Sequence, residues 1–299
     1  MNHVVWSQWE DLKVPEGFTS LTPKSTPLDS SDLSNISFYV PQYMGGKQAL
    51  EYSRGMNNLK YLQVPNAGFD DAIAYLKPGV VLCNARGVHD ASTAELAMGL
   101  AIASRRGFAD FANAQRNGDW AHVRYPSFND SAIGIIGAGS IASTLKSYLE
   151  PYDVEITMYS RSGSNGSRTI SELDAHLPNT DIVFLVLPLN DESRGMFDAR
   201  RLALMKDGAL IVNVARGGII NTDALIAELN ADRLYAGLDV TDPEPLPSDH
   251  PLWKAKNCII SPHVGGDSTA FESRGKKLVE SQLRLLAEGK EPINIVARG

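Results

Sequence analysis

Ala132-Ile133-Gly134-Ile135-Ile136-Gly137-Ala138-Gly139-Ser140-Ile141-Ala142 decides how the rest of this 299-residue chain is read. The first five residues are apolar or glycine and rich in β-branched side chains, which is the composition of a short buried strand. Two closely spaced glycines break the run, and residues 143–149 continue with a helical pattern. In a strand-turn-helix unit of this kind Gly137 permits the sharp reversal and Gly139 lets backbone N–H groups approach an anion. The small Ala142 lets helix and strand pack closely. Ser140 and Ile141 open the helix, where the peptide dipoles favour negative charge. By itself the motif suits a dinucleotide pyrophosphate, the nucleoside of a methyltransferase, or a plain α/β loop.

On both sides of this turn short apolar runs alternate with helical patterns, as parallel α/β layers require. Strands are expected at residues 132–136, 155–159, 181–187, 210–214, 235–240 and 258–261, in the βα alternation of a doubly wound Rossmann domain. Ahead of them, runs at 3–6, 36–40, 60–64 and 80–82 are separated by loops rich in Ser, Pro and Gly, and predict a smaller, flavodoxin-like open-sheet domain. Ser92-Thr93-Ala94-Glu95 has the spacing of a capping box, followed by Ala97, Leu100, Ala101 and Ser104 on one face, so a helix is expected to start there. Residues 270–289 read as a helix with Val279, Leu283 and Leu286 on one face, packing back on the first domain with no strand after it. The expected α/β architecture therefore has two domains. Residues 1–94 with 270–299 would bind substrate, and residues 95–269 would bind the dinucleotide.

With 43% apolar and 21% charged residues the chain can bury a large core. A net charge of −7 argues against a broad nucleic-acid or anionic-membrane surface, while leaving room for a local basic pocket. Cys83 and Cys258 lie in apolar runs without ligand spacing and read as buried thiols rather than a disulfide or metal site. The first residues lack a basic segment and a long apolar stretch, and nowhere do about 18 apolar residues run together, so a cytoplasmic protein is expected.

Arg216 ends the run beginning at Leu210, where open α/β sheets place their ligands. A guanidinium there suits a carboxylate and a carbonyl oxygen, or else closes an ion pair at the strand end. His263, in Ser261-Pro262-His263-Val264-Gly265-Gly266, also follows a strand. His3, His89, His122, His176 and His250 show no ligand spacing or partner and receive no catalytic role. Ala67 and Gly68 occupy a turn after a strand, whose backbone N–H groups suit a carboxylate or serve only the turn. Beyond residue 159 the chain reads Ser160-Arg161-Ser162-Gly163, without the acidic residue that usually binds a ribose 2′-hydroxyl. Ser160, Arg161 and Ser162 offer hydroxyls and a guanidinium for a 2′-phosphate instead; the alternative is an exposed loop arginine.

Taken in order, Leu59-Lys60-Tyr61-Leu62-Gln63, Ala67-Gly68-Phe69-Asp70, Thr93-Ala94-Glu95, the Gly137 turn, Leu187-Pro188-Leu189, Asn213-Val214-Ala215-Arg216-Gly217-Gly218, Leu238-Asp239-Val240, Pro243-Glu244-Pro245 and Pro262-His263 resemble the D-isomer-specific 2-hydroxyacid dehydrogenases. That family includes glyoxylate/hydroxypyruvate reductases, D-lactate dehydrogenases and phosphoglycerate dehydrogenases. The resemblance runs from about residue 58 to the end; the residues before it match weakly. It implies that Arg216, Glu244 and His263 are catalytic, with Glu244 paired to His263, and that Ala67, Gly68, Arg216 and His263 hold substrate. It places the coenzyme against Gly137, Gly139, Ser140, Ile141, Ser160, Arg161, Ser162, Leu187, Pro188, Val214, Ala215, Asp239 and Gly265. The implied reaction is reduction of a 2-keto acid, of the glyoxylate or hydroxypyruvate kind, to the D-2-hydroxy acid, with NADPH preferred and NADH possible.

Formate dehydrogenases carry Gln where Glu244 stands, so that branch is disfavoured, and no regulatory domain is expected beyond the last helix. A dinucleotide-sensing corepressor and a phosphoglycerate dehydrogenase stand as alternatives, whereas a methyltransferase has no use for the Arg216, Glu244 and His263 set. Family likeness also implies a homodimer formed around the helix from Thr93 and an arm carrying Trp120, Tyr125 and Phe128. Pocket specificity is expected from loops at 40–46, 86–89 and 117–129, with Tyr43 and Met44 serving the pocket or merely the turn and core.

Overall fold

Residues 132–136 form a strand that is buried from Ile133 onward, and the turn after it runs straight into helix Ser140–Leu149. The computed structural model describes residues 3–164 and 166–299. Its strands are β1 His3–Trp6, β2 Phe18–Leu21, β3 Phe38–Tyr39, β4 Tyr61–Gln63, β5 Val81–Cys83, β6 Ala132–Ile136, β7 Glu155–Ser160, β8 Arg168–Thr169, β9 Ile182–Leu185, β10 Leu210–Asn213, β11 Tyr235–Leu238, β12 Cys258–Ile260 and β13 Ile295–Arg298. The chain divides into two compact units, residues 1–89 with 269–299 and residues 90–268.

In the unit of residues 90–268, β6 to β12 form one parallel sheet in the order β12-β11-β10-β9-β6-β7-β8. From β6 the chain winds outward through β7 and β8, then crosses back to β9 on the other side. The direction of winding thus reverses between β6 and β9, and the crevice at their carboxyl ends is where such sheets take ligands. Every residue of β9 and β10 is buried, because helices cover both faces of the sheet and leave no solvated side to alternate with. On one face Ala97, Leu100 and Ala101 of helix Asp90–Arg105 and Leu145 and Leu149 of helix Ser140–Leu149 pack on Ile133, Ile135, Phe184 and Val212. On the other, Leu202, Leu225 and Leu229 pack on Ile136, Val183, Leu185 and Ile211.

The other unit contains β1 to β5 and β13 in the order β13-β5-β4-β3-β1-β2, the flavodoxin-like winding extended by one strand. Helix Ala270–Ala287 lays Phe271, Val279 and Leu283 against Val5, Phe38 and Val40, and Leu286 lies at the edge of the cluster. Gln282 on this helix is fully buried. Its amide nitrogen donates to Gln63 Oε1 and to the Ile293 carbonyl, both at 2.8 Å, and its oxygen accepts the Ile293 N–H at 2.8 Å. One side chain therefore ties the helix both to β4 and to the returning chain.

Several sequence expectations are corrected. Helix Asp90–Arg105 begins before Thr93, so Ser92, Thr93 and Ala94 are buried residues of its first turns and not a cap. Small side chains there serve close packing. The boundary between units accordingly falls at Asp90, ahead of the expected break after Ala94. A strand does follow the last helix: β13 pairs antiparallel with β5 along the sheet edge. Strands β2 and β8 also lie outside the expected set, being edge strands without an alternating apolar pattern. Cys83 is buried and Cys258 half-buried, both free, and burial pushes each thiol up to about 12. Among the described residues no helix is long and apolar enough to cross a membrane.

Gln282→Leu keeps the volume but strands buried polar groups on Gln63 and Ile293. It should destabilise the unit carrying helix Ala270–Ala287 by about 2–4 kcal/mol. Urea unfolding followed by the fluorescence of the buried Trp6 and Trp9 would measure this, and an unchanged midpoint would refute the role given to Gln282.

Candidate active site

The turn after β6 shows two glycines needed for different reasons. Gly137 has φ +134, and a Cβ there would lie 2.5 Å from the Val186 carbonyl oxygen. No other residue fits between β6 and the chain leaving β9. Gly139, the N-cap of helix Ser140–Leu149, has no side-chain cap, and a Cβ on it would meet nothing within 4 Å. Its small size therefore answers no need of the fold. An open approach to uncapped N–H groups at a helix start is what a pyrophosphate requires, and Ser140 and Ile141 supply the first turn. The residues present fit a dinucleotide.

Arg216 follows β10 in extended conformation. The otherwise apolar strand ends in the buried Asn213, whose Oδ1 accepts the Ala215 N–H at 3.1 Å and whose Nδ2 donates to the Arg216 carbonyl at 2.9 Å. Arg216 itself donates to the Ala215 carbonyl at 2.7 Å. A Cβ on the next residue, Gly217, would overlap the Thr241 carbonyl, so only glycine lets the Arg216 turn pack against the segment that leads to Glu244. Neither Asn213 nor Gly217 was assigned a site role from the sequence. The legible signal was a polar residue closing an otherwise apolar strand.

His263 lies on the loop after β12 with φ +55, a conformation that non-glycine residues adopt rarely. The buried Asp239 at the end of β11 imposes it. Its carboxylate accepts the Ser261 hydroxyl at 2.6 Å and the N–H groups of Val264 and Gly265 at 2.9 and 2.8 Å, and its carbonyl accepts the His263 N–H at 2.8 Å. Asp239 thus holds the histidine loop from inside, and its carboxylate is engaged there rather than turned to the crevice.

Glu244 and His263 are brought together, with Nδ1 of the ring donating to Glu244 Oε1 in a close contact. That bond raises the His263 pKa above 6.5, against the opposing effects of burial and of the Arg216 charge, with Asp239 adding to the rise. Glu244 is lowered below its usual value, first by the bond to His263, with further help from the Thr241 N–H and Arg216 and against burial. Glu244 therefore selects the tautomer and favours imidazolium, while both side chains stay partly open to solvent.

At the end of β7, the Ser160 hydroxyl bonds Ser167 Oγ at 2.7 Å and accepts the Gly163 N–H at 3.0 Å, while the Ser162 hydroxyl donates to Ser164 Oγ at 2.9 Å. These serines shape the loop, and the exposed guanidinium of Arg161 is the charge it presents. Past β9, Leu187 packs on the core and the Pro188 carbonyl accepts the Ser193 hydroxyl at 2.8 Å. Val214 and Ala215 are buried under the turn to Arg216, and Gly265 lies against Asp239. In the other unit, the Ala67 carbonyl accepts Asn84 Nδ2 at 2.6 Å, which fixes the turn of Ala67 and Gly68. Tyr43 stacks on Phe271 at 3.8 Å and is a packing residue, whereas Met44 is exposed. Among the described residues no cluster of His, Cys, Asp and Glu could hold a metal ion.

Residues 98–265 match the family described as D-isomer specific 2-hydroxyacid dehydrogenase, NAD binding domain. The chain is 30% identical over 254 residues to a glyoxylate reductase of Thermofilum pendens, covering 80% of this chain and 75% of that protein. It is similar to a solved D-isomer specific 2-hydroxyacid dehydrogenase family protein from Aeromonas salmonicida, with TM-score 0.86 and 23% identity over 99% of this chain and 98% of that one. A D-isomer specific 2-hydroxyacid dehydrogenase from Xanthobacter autotrophicus, solved with NADPH and MES, shares TM-score 0.79 and 23% identity over 99% and 98% of the two chains. These two structural likenesses concern the fold.

The ordering of the effects on His263 is open to test by NMR titration of its ring. Glu244→Gln should lower its pKa more than Asp239→Asn does, since the first removes the largest cause of the rise and the second a smaller charge effect. Asp239→Asn should in addition destabilise the unit by about 1–3 kcal/mol, as backbone donors of the loop lose their acceptor. A larger fall in Asp239→Asn would contradict this assignment.

Proposed function

The chain belongs to the D-isomer-specific 2-hydroxyacid dehydrogenase family, and within it we propose that it reduces a small 2-keto acid, of the glyoxylate or hydroxypyruvate kind, with NADPH preferred to NADH. The contact between His263 Nδ1 and Glu244 carries the reading. A dinucleotide bound at the Gly137 turn would supply hydride to the ketone carbon. The remaining needs of that reaction are a cation for the substrate carboxylate and a proton for the carbonyl oxygen. Arg216 meets the first with a guanidinium at the carboxyl end of a central strand. His263 meets the second: with Nδ1 committed to Glu244, Nε2 carries the transferable proton. A carboxylate in the Glu244 position supports a cycle in which the ring gains and loses charge, which an amide would not.

The coenzyme preference rests on Arg161, which stands where an acidic residue would bind a 2′-hydroxyl. Assembly as a homodimer is part of the proposal. Helix Phe108–Asn117 buries none of its residues, and Phe108, Phe111, Trp120 and Val123 expose apolar surface beside it. Of the three aromatic residues expected on the arm, Trp120 alone points fully outward, at 96% exposure. Phe128 is buried against Tyr152, and Tyr125 lies over Gly107 with its hydroxyl donating to Asp110 at 2.6 Å.

Assays of glyoxylate, hydroxypyruvate, pyruvate and bulkier keto acids with both coenzymes test the reading. His263→Ala should depress kcat by about 10²–10⁴-fold with coenzyme binding retained, and Arg216→Ala should both raise KM and lower kcat. Because reduction consumes the protonated ring, the rate should be high below the folded pKa of His263 and fall as pH rises through it. That pKa is raised, so the fall lies above 6.5, and Glu244→Gln should move it down. Near-parental turnover in His263→Ala would remove the proton-donor role.

Light scattering at micromolar concentration should report a dimer, and Trp120→Asp should shift it toward monomer. A monomeric parent protein would exclude the assembly.

A further inference from the structure

The loops after β7 and β9 flank the Gly137 turn on its two sides, because β6 lies between those strands in the sheet. Their exposed side chains meet: Arg161 Nη1 lies 3.7 Å from Glu192 Oε2, with the two side chains 81% and 68% exposed. Both loops are held by their own hydrogen bonds. Asn190 Oδ1 accepts the N–H groups of Glu192 and Ser193 at 3.0 Å each, and the Ser193 hydroxyl donates to the Pro188 carbonyl at 2.8 Å. On the other side Ser160 and Ser167 brace the loop that carries Arg161. The Asn190 turn thus fixes the backbone from which the Glu192 side chain reaches the guanidinium.

We propose that Glu192 is a specificity-determining residue that opposes the 2′-phosphate of the coenzyme at Arg161. This rests on the reading of Arg161 as the 2′-phosphate contact. An exposed ion pair of this kind is worth little in water, so breaking it contributes only a small part of the effect. The larger part is what remains after Arg161 turns to a phosphate. A dianion would then sit near a carboxylate carried on a turn whose backbone is hydrogen-bonded in place, and at separations of about 6 Å such repulsion in water amounts to a several-fold change in affinity. A 2′-hydroxyl carries no charge and meets no such opposition. Glu192 therefore lowers discrimination between the phosphorylated and unphosphorylated coenzymes, and its neutral isostere raises it.

The test uses the full chain and two fragments that need no turnover, 2′,5′-ADP and 5′-AMP, with affinities from calorimetry. Glu192→Gln should tighten 2′,5′-ADP by about 3- to 10-fold and leave 5′-AMP within about 2-fold, and the gain should shrink as salt rises. Arg161→Ala should weaken 2′,5′-ADP selectively. Unchanged or weaker 2′,5′-ADP binding in Glu192→Gln, or equal tightening of both fragments, overturns the role of Glu192 while leaving a selective Arg161 intact. Equal losses of both fragments in Arg161→Ala would instead sink the 2′-phosphate reading itself, and the proposal with it.

Discussion

The buried carboxylate of Asp239 is the constraint on which the site depends. It sits just past the end of β11, where its backbone N–H still donates to the Asn213 carbonyl of β10, and it collects a hydroxyl and two backbone N–H groups from the loop that carries His263. A carboxylate can be buried there because these donors replace its water. The loop in turn holds His263 in the left-handed region with the N–H groups of His263, Val264 and Gly265 all bonded to Asp239. Removing the acceptor would release His263 from a conformation that non-glycine residues adopt rarely.

Glu244 needs its own anchorage, and the packing of Gly217 on Thr241 provides it. The absence of a side chain at Gly217 brings the turn after β10 into contact with the chain leaving β11, so Arg216 and Glu244 arise from neighbouring strand ends. Asn213 then fixes the arginine's own turn from below. Asp239, Asn213 and Gly217, two of them buried polar residues and one a glycine, thus fix where Arg216, Glu244 and His263 stand.

The parts of this arrangement that were legible in the sequence share a physical reason. Central parallel strands are covered on both faces, so β6, β9 and β10 read as almost wholly apolar runs, and such sheets take ligands at the carboxyl ends of their strands, the side on which Arg216 follows β10 and His263 follows β12. Edge strands carry no such signature. β2 and β8 are short and partly solvated, and β13 exists only because β5 presents an open edge to the chain returning past Gln282. Ser92 to Glu95 misled for a different reason: capping and close helix packing both favour small hydroxyl residues, and only tertiary contact decides between them. For Asp239 the sequence shows a strand-end carboxylate but not which backbone donors fold back onto it.

The partial exposure of His263 and Glu244 follows from the same balance. Burial alone would lower the histidine pKa and raise that of the glutamate, favouring the neutral form of each. A fully exposed pair would be screened by water and lose its tautomeric order. Between these limits the hydrogen bond to Glu244 outweighs desolvation at His263, and the reverse bond does so at Glu244, so both shifts favour the charged forms. Arg216 opposes the charge on His263 and so limits the rise of its pKa. Under the proposed function, the cation offered to the substrate carboxylate would therefore also tune the donor beside it, and an anionic substrate that neutralised Arg216 would strengthen the hold of His263 on its proton until the carbonyl oxygen developed charge to receive it.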